Sequence, residues 1–243
     1  MRIDVNFLEK ALGIKVEYFS VIDSTMNYIN NLVNSKKSLP DLVIADYQTD
    51  GVGRVGRKFY SPASTGLYFT VVFPDTYFPE GDVTPRVALA VRDAIFSVFE
   101  ISCSIKWVND LYFNERKVCG ILCRKLPGYI SIGIGVNVEE PKYIPEELTE
   151  RFGFLVDHCQ SKQYTYLVKE IFSFCLLWAK REKQKVLEEY REYCNHIGRE
   201  VLLYQNDKEY AGTCVDISDD FSIVVNLNGE LASFSSGEMS LKI

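Results

Sequence analysis

Residues 51–57 read Gly-Val-Gly-Arg-Val-Gly-Arg, and what flanks them restricts the fold more than any other segment. Glycine lets a backbone approach a ligand closely or take φ > 0 without a Cβ penalty. The forked guanidinium groups of Arg54 and Arg57 suit a phosphate or a carboxylate. Gly51, Gly53 and Gly56 satisfy the G-x-G-x-x-G spacing of dinucleotide-binding folds, but that device needs a strand before it and a helix opening at its end. Leu42-Val43-Ile44-Ala45 supplies the strand. After Arg57, however, come Lys58-Phe59-Tyr60-Ser61-Pro62 and the β-branched, aromatic run Leu67-Tyr68-Phe69-Thr70-Val71-Val72-Phe73, which predicts a second strand. Strand, loop, strand excludes a dinucleotide fingerprint here, and the absence of G-x-x-x-x-G-K-[ST] excludes a P-loop. Two readings of the loop remain: a flap closing over an anion, and a surface hairpin with solvated arginines.

The chain has 243 residues, enough for one large domain or one large and one small. A net charge of −6 argues against a general nucleic-acid binder, while leaving room for a local basic site. The seven cysteines form no C-x-x-C pair. Reduced, half-buried thiols are favoured over zinc or disulfides. Cys119 and Cys123, four apart on a predicted strand, face the same side. With no signal-peptide pattern and no apolar run near membrane-spanning length, the expectation is a cytoplasmic protein without membrane contact.

Short strands are predicted at 16–20 and 42–45, with a helix beginning after Asp23-Ser24-Thr25. One of the two hydroxyls caps that helix; the other is either a second capping group or a ligand contact. Residues 82–100 have helical periodicity. A hairpin follows: 105–113, a turn at 114–117, then 118–123. The next strand, 129–138, alternates β-branched residues with small ones, and its glycines predict close approach of backbone or ligand. Residues 165–193 read as one long helical stretch, its aromatic stripe packing into the core. From residue 198 the texture changes to short strands at 200–204, 210–215, 222–227 and 231–234. Turn residues separate them, including the hairpin signal Asn228-Gly229. The organisation is therefore an α+β domain over 1–195 and a small antiparallel β-barrel over 196–243.

Lys106 lies in an otherwise apolar, aromatic segment beside Trp107. It either meets an anion or points outward from an edge strand. Asn109-Asp110 supplies a polar turn, and Lys117 a second cation across the hairpin. His158 and His196, the two histidines, sit in no recognisable triad or metal motif. The chemistry that remains is anion handling by glycine, arginine and lysine, as in phosphoryl or nucleotidyl transfer.

Taken in order, Asp23-Ser24-Thr25, Tyr47-Gln48, the 51–58 loop, Lys106-Trp107-Val108-Asn109-Asp110-Leu111, Arg116-Lys117-Val118-Cys119-Gly120-Ile121-Leu122, Gly133-Ile134-Gly135-Val136-Asn137 and Gly237-Glu238-Met239-Ser240-Leu241 resemble biotin protein ligases from near residue 16 onward. The resemblance implies a mixed, largely antiparallel catalytic sheet like that of class II aminoacyl-tRNA synthetases, with an SH3-like C-terminal β-barrel. It implies that biotin's carboxylate attacks the α-phosphate of ATP, with Mg²⁺ on the phosphates. A lysine of a biotin carboxyl carrier domain, part of a biotin-dependent carboxylase such as acetyl-CoA carboxylase, then takes the biotinyl group from biotinyl-5′-AMP. By the same resemblance Ser24, Thr25 and Gln48 hold the ureido head of biotin. Gly51, Val52, Gly53 and Arg54 approach biotin, and Lys106 bridges its carboxylate to the α-phosphate. Arg54, Arg57, Trp107, Lys117 and Asn137 fall on the ATP or adenylate side, Asn137 near adenine. The residues that hold the metal are not identified.

Three departures from the family pattern involve four positions. Val52 and Val55 stand where basic residues are usual, Val108 where proline is usual, and Arg124 near a usual glutamate. No DNA-binding helix-turn-helix fits before residue 16, so a ligase without repressor function and without nucleic-acid contact is expected. A homodimer through a sheet edge stays open. Two other functions stay open as well: a lipoate or octanoate ligase or transferase, and a non-catalytic biotin-binding sensor.

Overall fold

The computed structural model describes residues 3–241; the outermost residues of both expected units lie outside the described residues. Seven strands form one sheet: β1 (Val16–Phe19), β2 (Leu42–Ala45), β3 (Gly66–Pro74), β4 (Ser104–Lys106), β5 (Asp110–Phe113), β6 (Arg116–Leu126) and β7 (Tyr129–Asn137). Their order is β1-β2-β3-β7-β6-β5-β4. β1 and β2 run parallel and the other pairs antiparallel, so the sheet is mixed and β4 is an edge.

The two faces of this sheet follow from strand alternation. On β7, Ile130, Ile132, Ile134 and Val136 join the main core, together with Leu67, Phe69, Val71 and Phe73 of β3. Against them pack the helices α1 (Val5–Leu12), α3 (Val83–Phe99) and α4 (Ser161–Ala179). The intervening residues Ser131, Gly133, Gly135 and Asn137 face the other way. There α2 (Thr25–Asn34) covers only one end, over a small cluster of Ile29, Val43 and Val72. The uncovered remainder of this face is where the 51–58 loop lies.

After α5 (Lys183–Tyr193) come five antiparallel strands, β8 (Glu200–Gln205), β9 (Lys208–Ile217), β10 (Ile223–Leu227), β11 (Glu230–Phe234) and β12 (Glu238–Leu241), in the order β11-β10-β9-β8-β12. Asn228 and Gly229 have φ of 55° and 103°, as their hairpin requires. The core of this sheet is continuous with the main one. Its fixings to the larger sheet include the Trp107 indole N–H, donated to the Phe221 carbonyl at 2.8 Å, and an edge-on contact of the Tyr190 and Phe221 rings.

Three elements differ from the sequence expectation. The first twenty residues contain α1 besides a strand; its signals are the Asp4 N-cap, which accepts from the Phe7 N–H, and Gly13 at φ 68°. The long helix at 165–193 is two, broken at Lys180–Glu182. Buried Arg86 of α3 takes the carbonyls of Trp178 and Arg181 at 2.6 and 2.7 Å, so a tertiary contact ends α4. The C-terminal sheet has a fifth strand, β12, paired with β8. The Trp107–Val108 peptide is cis. All seven cysteines are free thiols, and no helix among the described residues is long and apolar enough to cross a membrane.

Two stability predictions follow from buried charge. Arg86 is 1% exposed and pairs with Asp82 at 2.7 Å. Asp82→Ala strands the guanidinium and lowers the unfolding free energy by about 3 kcal/mol, measurable by urea titration. His196, at the junction of the two sheets, is fully buried, and its Nε2 has no hydrogen-bond partner among the described residues. Burial first, then Lys106 and Arg199, push its pKa down from 6.5 to about 4. A lowered histidine pKa favours the unfolded chain once that chain protonates. Stability is therefore full above about pH 6.5 and falls by about 3 kcal/mol as the pH drops toward 4. His196→Gln flattens that slope in denaturation midpoints recorded between pH 4 and 7.

Candidate functional site

The site is built on the glycine face of the sheet. Gly120 of β6 and Gly135 of β7 are directly paired. The Phe59 ring rests on both: a Cβ on Gly120 would lie 2.7 Å from the ring, and one on Gly135 would collide with it. Lys117, whose Nζ would be 3.2 Å from that same Gly120 Cβ and is 5.7 Å from the Phe59 ring centroid, brings a cation to this floor. The Lys117 ammonium also pairs with Asp110 Oδ2 at 2.8 Å, while the buried Asp110 Oδ1 accepts no hydrogen bond among the described residues.

At the α2 end a chain of hydrogen bonds crosses from the sheet to the loop. Thr70 Oγ1 donates to Thr25 Oγ1 at 2.8 Å, and Thr25 Oγ1 donates to Gln48 Oε1 at 3.2 Å. Gln48 Nε2 donates to Ser61 Oγ at 2.9 Å, and Ser61 Oγ to the Phe59 carbonyl at 3.0 Å. Gln48 reaches this place because residues 47–50 run beside 22–23, with Ile22, Thr49 and Asp50 N–H groups bonded across. Gly51 must be glycine: a Cβ would sit 2.7 Å from Ser61 Oγ and 3.0 Å from Gln48 Nε2. Of the two hydroxyls before α2, Ser24 caps the helix through the Asn27 N–H at 3.4 Å. Thr25 enters the chain.

The 51–58 loop is a closed hairpin. Phe59 N–H donates to Gly51 O and Gly53 N–H to Arg57 O, both at 2.7 Å, and Val52 bridges to Lys58. At its tip Val55 is 84% exposed at φ 52°, an unusual region for a β-branched residue. Arg57 is exposed; Arg54 points inward to Asn109 and Gly237. At the far end of β7, Asn137 Nδ2 donates to the Lys117 and Gly153 carbonyls at 3.2 and 3.0 Å. Its buried Oδ1 accepts nothing among the described residues.

The structure thus brings Thr25, Gln48, Gly51 and Lys117 to one face of the sheet, with Ser24 beside them and Asn137 at its end. Lys106 lies on edge strand β4, opposite Asp110, with its Nζ donating to the Tyr112 hydroxyl at 3.2 Å. Burial and the neighbouring Asp110 push the Tyr112 pKa up to about 12, so that hydroxyl stays protonated. Trp107 is 3% exposed and faces the core between the sheets. Sequence reasoning missed Ser61, Thr70 and Phe59. The one signal for Thr70 is a hydroxyl on the glycine-facing phase of an otherwise apolar strand.

Comparison with known proteins adds an independent finding. Residues 18–138 match the model described as the Biotin/lipoate A/B protein ligase family. The chain is 28% identical to the bifunctional ligase/repressor BirA of Escherichia coli (strain K12), over 95% of this chain and 75% of that protein. To the biotin–[acetyl-CoA-carboxylase] ligase of Mycobacterium tuberculosis it is 24% identical, over 82% and 77%. Among solved structures, the biotin protein ligase from Aquifex aeolicus in complex with biotin and ATP superposes with a TM-score of 0.79 at 27% identity, over 94% of this chain and 98% of that one.

Proposed function

Since residues 18–138 match the Biotin/lipoate A/B protein ligase family, we propose that the chain is an ATP-dependent biotin protein ligase. The carboxylate of biotin attacks the α-phosphorus of ATP, the bond to the bridging oxygen breaks, and pyrophosphate leaves. The amine of a carrier-protein lysine then attacks the acyl carbon of biotinyl-5′-AMP and AMP leaves. The carrier is a biotin carboxyl carrier domain, and the unpaired thiols fit a reducing compartment, the cytoplasm.

The observation that carries this reading is the meeting of a glycine floor, an ammonium and an orphaned amide oxygen on one sheet face. The first step drives two anions together, so a cation must offset their repulsion before attack. Lys117 supports that role better than Lys106. Its Nζ lies beside Gly120 of the glycine floor, whereas Lys106 is bound to Tyr112 on the sheet edge. We therefore assign the carboxylate–phosphate contact to Lys117 and a supporting charge to Lys106. Asn137 Oδ1, buried and unmatched, suits the exocyclic amine of adenine. The Thr25–Gln48 pair, with Ser24 beside it, suits the ureido head, and Gly51, Val52, Gly53 and Arg54 form the flap above. Arg57 meets phosphate only if its exposed side chain folds inward. Trp107 supports the adenylate side from behind, through the core.

Magnesium would arrive on the triphosphate. No group of three or more acids, cysteines or histidines among the described residues could hold it alone, but Asp110 Oδ1 is an unmatched carboxylate oxygen beside Lys117. Asp110 would hold such an ion together with the phosphates, and the ion would offset phosphate charge.

Biotin-dependent exchange of pyrophosphate into ATP tests the reaction. Exchange with lipoate or octanoate instead of biotin overturns the substrate, and biotin binding without exchange turns the protein into a sensor. In the same assay Lys117→Ala lowers the exchange rate by about 100-fold, corresponding to about 3 kcal/mol, and Lys106→Ala by less. The opposite ranking returns the role to Lys106.

A further inference from the structure

Arg54 belongs to the flap, yet its guanidinium bonds reach outside it. Nη1 donates to Asn109 Oδ1 at 2.8 Å and Nη2 to the Gly237 carbonyl at 3.1 Å. Asn109 sits in the turn between β4 and β5 and is itself held: its Nδ2 donates to Ile121 O at 2.8 Å, and its carbonyl accepts from Ile121 N–H at 3.0 Å. Gly237 immediately precedes β12. Its φ is 141°, and a Cβ there would lie 2.9 Å from the Tyr204 carbonyl. The second acceptor is therefore offered by backbone of the C-terminal sheet at a position that excludes a side chain. The turn that carries Asn109 also carries Trp107, whose indole N–H is bonded to that sheet at Phe221.

Val52 and Val55 are uncharged, Val55 is 84% exposed, and Lys58 pairs with exposed Asp50. Anions beneath the flap have no cation at positions 52 and 55 to attract, so its seating depends more on bonds to the protein.

We infer that Arg54 latches the flap to Asn109 and to the Gly237 carbonyl, so that closure over the site depends on the docked C-terminal sheet. Asn109 is the positioning residue of that latch, acting through Arg54. What the flap retains, biotinyl-5′-AMP, rests on the proposed function; the latch itself does not.

Two variants of the full chain separate the latch from simple support of the fold. Asn109→Ala removes the acceptor for Nη1. Asn109→Asp keeps an oxygen for the guanidinium and loses the donor to Ile121. Amide hydrogen exchange over 51–58 and 237–241 is read for both, together with release of preformed biotinyl-5′-AMP in a chase with unlabelled adenylate. Asn109→Ala is expected to speed exchange in both segments and adenylate release by about 10-fold, with Asn109→Asp within about 2-fold of the parent. Unchanged exchange over 51–58 in Asn109→Ala overturns the latch. Equal acceleration in both variants also overturns it, reducing Asn109 to a prop for Ile121. Should the parent chain form no biotinyl-5′-AMP, the proposed function fails, and the exchange measurements still decide the latch.

Discussion

Gly120 and Gly135 lie opposite one another on neighbouring strands, and their missing side chains govern what can rest on this sheet. On a pleated sheet each position projects to one face or the other. Along β7 the isoleucines and valine project toward the helices and build the core. The alternate phase is small or polar and leaves backbone at the surface. An aromatic ring can therefore settle on the sheet itself, and the 51–58 loop can lie low over it. The same two-phase pattern explains why α2 covers only one end of that face, over its own small cluster.

Charge is distributed around this floor in a graded way. Asp110 holds Lys117 at 2.8 Å and stands opposite Lys106 in the strand register. Lys106 in turn leans on Tyr112. The Asp110 carboxylate thus pairs with the Lys117 ammonium, while Lys106 neighbours it only across the strand register. Adenylation needs a field organised before charge develops, and strands provide it with little reorganisation.

Much of the fold was legible because its signals are local. The alternation of 129–138, the helical period of 82–100 and Asn228-Gly229 each specify an element without help from distant residues. The break at Lys180–Glu182 was not legible, because Arg86, far away in the chain, takes the carbonyls that end α4. The site divides similarly. The Ser24-Thr25 pair and Gln48 stood out as motifs, and the sequence could say that one hydroxyl caps while leaving the other open between capping and a ligand. Ranking Lys117 against Lys106 needed the register of β4, β5 and β6, since along the chain the apolar neighbours of Lys106 single it out while Lys117 sits in a polar turn. Thr70 and Ser61 are ordinary residues that matter only through partners brought near by the sheet.

The hydrogen-bond chain from Thr70 to Phe59 has a direction that it cannot reverse. Gln48 Oε1 accepts from the Thr25 backbone N–H at 2.9 Å as well as from the Thr25 hydroxyl. A backbone N–H can only donate, so the amide orientation is set and Nε2 must face Ser61. Ser61 must then give its proton to a carbonyl, which has none to return. Counting valences, the cluster has left for a guest one hydrogen on Gln48 Nε2 and lone pairs on Thr25 and Ser61. Its polarity is that of a rectifier, in which a guest meets donor and acceptor at assigned places and cannot trade them.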